Sequence, residues 1–143
     1  MQPRIDPPRG LIDPRPGDAA LQHARYLPPE GLSPYVEHLW WVCWDLRDAA
    51  PRMQATLPHP SVHLTFESGG ASLVGVMRRR FERKLEGQGE VLGVKFLPGA
   101  FSSFIQEDVA TLTGHQRPLG ALWGAEGTAL AREVCLEADL QKR

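Results

Sequence analysis

The feature that most constrains the fold is the run VEHLWWVCWDL at residues 36–46, in which apolar side chains recur at every second position. Successive side chains of a β-strand point to opposite faces, so this alternation predicts a strand with one nearly all-apolar face. We expect that face to point into the interior of a β domain. It carries Val36, His38, Trp40, Val42, Trp44 and Leu46.

Further extended runs lie between residues 26 and 96, separated by proline or glycine at intervals typical of β-sandwiches and barrels. About six short strands are predicted there. Phe66 and Phe96 continue the inward-facing pattern in two of them. The segment FERKLEGQGEVLGVKF, residues 81–96, is predicted to form a hairpin that turns at Gly87 and Gly89.

The chain is predicted to divide into three segments. Residues 1–20 form a proline-rich N-terminal arm, because proline and glycine punctuate it too densely for a regular helix or a central strand. Residues 21–98 form the β domain. Residues 99–143 form a helical segment, in which a short helix begins in the sequence LPGAFSSFI.

The last part of that segment predicts an amphipathic helix with Thr128 as its N-cap. Leu130, Val134 and Leu140 recur near the helical period and give the helix an apolar face. Either the β domain covers this face or a twin helix does so in a symmetric homodimer, and we favour the homodimer. The ending LEADLQKR carries no stop signal, which indicates continuation toward a further domain.

Composition excludes several classes of function. The 143 residues suit one domain, and a formal net charge of -1 gives none of the positive field of a typical nucleic-acid-binding domain. Only two cysteines occur, without metal-ligand spacing, and no apolar run is long enough for a signal peptide core or a membrane span. We therefore expect a soluble cytoplasmic protein with no membrane partner.

Motifs for catalysis and metal binding are weak. The sequence contains no GxSxG, HExxH, P-loop or GxGxxG. His59 and His63 are four residues apart in PHPSVH, but prolines make a helix improbable there, and an extended segment does not bring that spacing reliably to one metal ion. We predict no catalytic residue, no metal site and no cofactor.

The tryptophan-rich strand permits two interpretations. His38, Trp40 and Trp44, with Phe66 and Phe96 from neighbouring strands, could line a cavity for a small-molecule ligand, because broad apolar area with few polar groups is typical of such pockets. The same rings could instead fill a solid core. The pattern by itself favours neither, and we predict the cavity, with these five residues as its ligand-binding wall.

Three runs, YLPPEGLSPYVEHLWWVCWDLR, TLPHPSVHLTFE and GVKFLPGAFSSFI, resemble in order and spacing the N-terminal domain of a subgroup of AraC-family transcription regulators. The resemblance covers roughly residues 24–140. It implies a cupin-like β-barrel or sandwich that senses a small-molecule effector or mediates dimerisation. In this family a separate C-terminal domain with two helix-turn-helix units contacts DNA.

The resemblance therefore predicts the regulatory domain of a bacterial transcription regulator, in which DNA is contacted only through a domain that follows residue 143. By itself this chain is expected to bind no specific DNA sequence. The alternative is a stand-alone cupin-like metal or small-molecule enzyme. A third interpretation is a pure dimerisation module with a solid core.

Overall fold

The computed structural model describes residues 19–137 and, upstream of them, the backbone of two short strands. Ten strands form two antiparallel sheets in this part of the chain, which confirms the mainly β class. They are β1 (Pro3–Arg4), β2 (Leu11–Ile12), β3 (Leu21–Tyr26), β4 (Val36–Leu46), β5 (Arg52–Thr56), β6 (His63–Glu67), β7 (Gly70–Val74), β8 (Phe81–Leu85), β9 (Gly87–Phe96) and β10 (Gln116–Pro118). Short 3-10 helices span Glu30–Leu32, Ala100–Phe104 and Val109–Leu112, and α1 spans Leu119–Leu136.

The two sheets differ in size and form a sandwich-like arrangement rather than a closed barrel. The large sheet has the order β1-β3-β4-β9-β6-β7-β10, and the small sheet has the order β2-β5-β8. The six strands predicted between residues 26 and 96 are confirmed as β4 to β9. The tryptophan-rich run forms β4 over the residues that the alternation indicates, beside the long strand β9 at the centre of the large sheet.

Both faces of the large sheet are covered. One face packs against α1 and the last two 3-10 helices, and we call it the helix face. The other face lies toward the small sheet, and we call it the cleft face. The helix face carries the larger core, which is extended by Phe101, Leu112, Leu119 and Val134 from the covering segments. The cleft face has a smaller core in which Leu85 of the small sheet joins Trp44, Leu46 and Val91.

A register shift in β4 alters the predicted distribution of its side chains. Val36 pairs with Phe96 but His38 pairs with Lys95, so the strand gains one residue at Glu37, as at a β-bulge. Val36 therefore packs in the core of the helix face, whereas Trp40, Val42 and Trp44 pack toward the cleft. The prediction that Val36 shares a face with the tryptophans is wrong for this reason.

The predicted hairpin at Gly87 and Gly89 is also wrong. Strand β8 pairs with β5 in the small sheet, while β9 pairs with β4 and β6 in the large one. The chain therefore changes sheets at Glu86, next to Gly87, whose φ of 60° is costly for other residues. The middle of strand β9 is buried on both faces, as expected for a strand at the centre of the large sheet. Strand β8 carries several charged residues, as expected for a strand at the edge of the small sheet.

The C-terminal helix begins earlier than predicted. α1 starts at Leu119, directly after β10, and Gly124 interrupts it with φ 60° and ψ -135°. Thr128 lies inside the helix, where its hydroxyl donates to the Gly124 carbonyl oxygen at 3.2 Å, so it is not the N-cap. The short helix predicted after Pro98 is confirmed as the 3-10 helix Ala100–Phe104.

The chain's own large sheet covers part of the predicted apolar helix face. Val134 is buried in the core of the helix face, and Leu130 is 38% exposed. The prediction for Leu140, and those for the arm at residues 1–20 apart from the backbone of β1 and β2, lie outside the described residues. No helix among the described residues is long and apolar enough to cross a membrane.

Candidate functional site

Two tryptophans of β4 lie over glycines of β9 on the cleft face. Trp40 pairs across the strands with Gly93, and Trp44 pairs with Gly89. A Cβ atom added at Gly93 would lie 1.9 Å from Cε2 of Trp40, and one at Gly89 would lie 2.3 Å from Cζ2 of Trp44. The indoles therefore occupy the space that side chains of β9 would need.

The indole of Trp40 reaches across β9 to β6. Its Nε1–H donates to Nδ1 of His63 at 3.3 Å, and the two rings meet edge to face. Because Nδ1 accepts this hydrogen bond, the neutral imidazole of His63 carries its proton on Nε2. Trp40 remains half-buried.

Trp44 lies deeper in the cleft face and is 7% exposed. Its Nε1–H donates to the Glu86 carbonyl oxygen at 3.2 Å, and the guanidinium of Arg83 lies 5.3 Å from its ring centroid. Arg83 also pairs with Glu67 at 2.7 Å, which joins β8 of the small sheet to β6 of the large one. This end of the cleft is closed.

A row of polar side chains crosses the cleft face beyond Trp40. His38 of β4, Lys95 of β9 and His63 of β6 are cross-strand partners and therefore project from one face. The shift at Glu37 brings its carboxylate to this row, 2.9 Å from Nζ of Lys95 and 3.6 Å from Nδ1 of His38. We call this group the cleft-face cluster; it comprises Arg25, Glu37, His38, His59, His63 and Lys95.

The electrostatics of the cluster keep its imidazoles neutral. Desolvation, followed by the positive charge of Arg25, lowers the pKa of His38 to about 4, against a smaller opposing effect of Glu37. Desolvation and then Lys95 lower the pKa of His63 to about 4. The pKa of His59 is lowered as well, by desolvation and then by Lys95.

Glu37 remains ionised within the cluster. Burial alone would raise the pKa of its carboxyl group, but the hydrogen bond and the charge of Lys95 outweigh this and lower it. At neutral pH the cluster thus combines two cations, one carboxylate and neutral imidazoles. No three His, Cys, Asp or Glu side chains are placed to hold a metal ion within the part of the chain that the structure describes.

The structure brings together three of the five predicted ligand-binding residues. His38, Trp40 and Trp44 share the cleft face. Phe66 and Phe96 lie buried in the core of the helix face, on the opposite side of the sheet. The prediction that all five line one space is therefore wrong for these two phenylalanines, and ligand binding by the others stays a prediction.

Sequence reasoning missed most of the cleft-face cluster. The pattern predicts that Phe66 faces inward, and His63, Thr65 and Glu67 alternate with it. A sheet covered on both sides has no outward face, so alternation alone cannot show which set lines a site. One signal was available: the spacing of Gly89 and Gly93, which equals that of the two tryptophans.

A concave region lies on the other side of the sheet. It has a volume of about 420 Å³ and is lined by Phe104, Ile105, Gln106, Glu107, Leu122 and Trp123. Nε1–H of Trp123 donates to the Phe104 carbonyl oxygen at 2.9 Å, so the indole's polar atom is already bonded. The region is shallow and has no converging ionisable groups beyond Glu107, and the cleft-face cluster is the better candidate site.

A family model described as a domain of unknown function (DUF6597) matches residues 24–118, which is more than half of the chain. The chain belongs to this family. The matched DUF6597 residues run from the second half of β3 through β10, and so they contain both the tryptophan-rich strand and the whole cleft-face cluster. No curated protein and no solved structure shows a significant match to the chain.

Proposed function

We propose that this chain is the regulatory domain of a bacterial AraC-type transcription regulator and that it senses a small-molecule effector between its two sheets. The composition of the cleft-face cluster is the main support for this proposal. A half-buried indole lies there beside neutral imidazoles and charged groups, on the face of the large sheet that packs against the small sheet around Trp44. Small-molecule sites combine apolar walls with a few converging polar groups in this way.

Two further observations support this function. The order and spacing of the three sequence runs resemble those of AraC-type sensor domains, and two antiparallel sheets with a following helix agree with the fold that the resemblance implies. In such regulators DNA is contacted by a separate helix-turn-helix domain. We propose that the chain acts on DNA only through such a domain.

The pKa values of the imidazoles favour binding over acid–base catalysis. A general acid or base works best when its pKa lies near the working pH, and His38 and His63 have pKa values of about 4. Neutral imidazoles can still donate and accept hydrogen bonds to a ligand. We therefore propose a sensor rather than the alternative, a cupin-like metal or small-molecule enzyme.

A chimeric regulator tests the proposal. The chain is fused to the DNA-binding half of an AraC-type regulator, and a reporter gene is measured against a library of metabolites. We expect at least one compound to change transcription and to raise the melting temperature of the isolated chain. A ligand at 100 times its Kd stabilises a folded protein by about 2.7 kcal/mol.

Two single substitutions test whether the compound acts through the cleft face. Trp40→Leu should abolish the transcriptional response, because the indole lies in the cleft, whereas Met53→Ala should preserve it, because Met53 is 62% exposed in the small sheet. A stabilising compound that the chain converts to a product would support the enzyme instead. A library without any compound that changes transcription would contradict the sensor function.

A further inference from the structure

We propose that strand β8 pairs antiparallel with β8 of a second copy of this chain, so that the two small sheets join into one. Within the described residues β8 pairs only with β5 and is the last strand of its sheet. An edge strand presents backbone N–H and C=O groups that can pair with another strand. The contact concerns assembly alone and does not depend on the proposed function.

The contact is formed by the sequence RFERKLE, residues 80–86, which we call the edge segment. Arg83 and Leu85 face the cleft, where they lie against Trp44 and its core, so the alternate positions face outward. The outward residues carry charges of alternating sign along the strand. They form two ion pairs within the chain, Arg80 with Glu82 and Lys84 with Glu86, and their side chains are 44–62% exposed.

The order of these charges is self-complementary in one antiparallel register, in which the two strands are centred on Arg83. Arg80 then lies opposite Glu86 of the second copy, and Lys84 lies opposite Glu82. Opposite charges on directly opposed residues stabilise a pair of strands, whereas like charges destabilise it. Every outward charge of each copy therefore meets an opposite charge, in a contact that is the same from both sides.

The neighbouring registers bring like charges together. A shift of the centre by one residue is the smallest that keeps the outward side chains of both copies on one face. A pair centred on Glu82 would set Glu82 against Glu82, and Arg80 against Lys84. A pair centred on Lys84 would set Lys84 against Lys84, and Glu82 against Glu86. Charge therefore selects the register centred on Arg83.

The side chains on the cleft side of the edge segment agree with this register. The guanidinium of Arg83 turns into its own cleft, where it pairs with Glu67 at 2.7 Å and lies 5.3 Å from the ring centroid of Trp44. The central charge is thus compensated within each copy. Phe81, which is 43% exposed, would lie opposite Leu85 of the second copy and gain an apolar neighbour.

Charged residues on an edge strand usually prevent its pairing with other strands. The self-complementary order removes this repulsion for one partner, a second copy in the register described above. A contact of two short strands is small, and interfaces below about 1,200 Å² belong to weak, transient complexes. We therefore expect the edge contact to be weaker than a dimer through α1, which packs on the opposite face of the large sheet, and to be detected by trapping.

Disulfide trapping between two variants of the whole chain tests the contact. Glu82→Cys and Lys84→Cys are mixed, one of them with an added tag that changes its mass, and are oxidised in air. In the proposed register the two thiols are directly opposite, with Cβ atoms about 4.5–5.5 Å apart, whereas two copies of one variant hold theirs diagonally, roughly 7–8 Å apart. We expect the mixed covalent dimer to exceed either self-dimer about tenfold on a non-reducing gel.

Met53→Cys mixed with Lys84→Cys is the matched control. Met53 is 62% exposed on β5, one strand away from the edge, so its thiol is equally open to solvent but not placed to meet the second copy. The wild-type chain, with its native Cys43 and Cys135, gives the background from the other thiols.

Charge reversal tests whether the ends of the edge segment set the register. Arg80→Glu, added to both trapping variants, opposes two acids at each end of the contact and should lower the yield of mixed dimer about fivefold. Adding Glu86→Arg should restore the yield, because it restores opposite charges between the copies while it leaves like charges adjacent within each chain.

Salt gives a second measurement that does not depend on the folding of a charge variant. Raising NaCl from 50 to 500 mM should lower the yield of the mixed dimer, because the opposed charges are exposed and are screened. The proposal is overturned by a mixed dimer no more abundant than the control, by a self-dimer as the main product, or by a yield that neither Arg80→Glu nor salt changes.

Discussion

The pairing of tryptophan with glycine shows how single residues shape the cleft face. Each indole of β4 takes up the space above a glycine of β9, so the small residue and the large one are fitted to each other. Such a pair resists change at either member, because close-packed interiors tolerate little added volume. The glycines are therefore as important to the cleft as the rings.

We expect Gly93→Ala to lower the free energy of unfolding by about 1–3 kcal/mol, since its Cβ would meet the ring of Trp40 at 1.9 Å. Urea denaturation measures this change. Gly31→Ala is the matched control, because a Cβ at Gly31 has no atom within 4 Å and should change stability by less than about 0.5 kcal/mol. Equal effects of the two substitutions would contradict the packing described above.

A histidine of the cluster gives a second prediction, on the pH dependence of stability. The pKa of His63 is about 4 in the folded chain and 6.5 as the unfolded reference, so the unfolded state binds more protons between these values. The contribution of neutral His63 to the free energy of unfolding is therefore complete above pH 6.5 and is lost as the pH falls toward 4. Its slope is at most about 1.4 kcal/mol per pH unit for one histidine.

His63→Gln should flatten this dependence, because glutamine stays neutral while its carbonyl oxygen can still accept from Trp40. Denaturant titrations at intervals from pH 7.5 to pH 4 measure the slope. His115→Gln is the control, since His115 lies exposed on a turn outside the cluster. His38 contributes in the same direction, so a residual slope is expected in the variant. An unchanged slope would show that His63 is not protonated on unfolding.

At the scale of elements, the sequence predicted the strands better than their partners. Strand β4 is the best case, because eleven residues of alternating character leave few other structures open. The strands from β4 to β9 were also predicted in number. Local alternation reports that a segment is extended, but not which strand it will pair with.

The failures share a cause, which is that pairing and covering are decided by distant parts of the chain. Nothing within FERKLEGQGEVLGVKF shows that its first strand joins β5 and its second joins β4. α1 was predicted to start too late, because Thr128 was predicted to be its N-cap, whereas the helix starts at Leu119 and continues past a kink at Gly124. The candidate site followed the same pattern: the residues of β4 were predicted, but their partners on β6 and β9 were not.

At the scale of the whole molecule, two layers cover the large sheet and have different character. The helix face is closed by α1 and the last 3-10 helices through aromatic and aliphatic contacts. The cleft face is closed around Trp44 and becomes polar and partly exposed toward the cleft-face cluster. The proposed sensor function would need one rigid side for stability and one accessible side for a ligand, which this division of the two faces matches.

The last prediction concerns the homodimer expected from the C-terminal helix. Because Val134 is buried against the chain's own sheet, a charge there would unfold the domain and would not report on assembly. The side of α1 away from Val134 carries Ala125, Ala129 and Leu136, all exposed, and Leu136 is 73% exposed. Residues spaced in this way lie along one side of a helix and could meet the same side of a second copy in an isologous interface.

We therefore expect the wild-type chain to sediment as a dimer and Leu136→Glu to shift it to monomer at the same concentration, because the interface would place two like charges together. Met53→Glu introduces the same charge at an equally open apolar position, 62% exposed on β5, and should leave the dimer intact. Both variants should remain folded, since neither position is buried within the chain. A monomeric wild type at high concentration, or dissociation by Met53→Glu alone, would place the helix outside any interface.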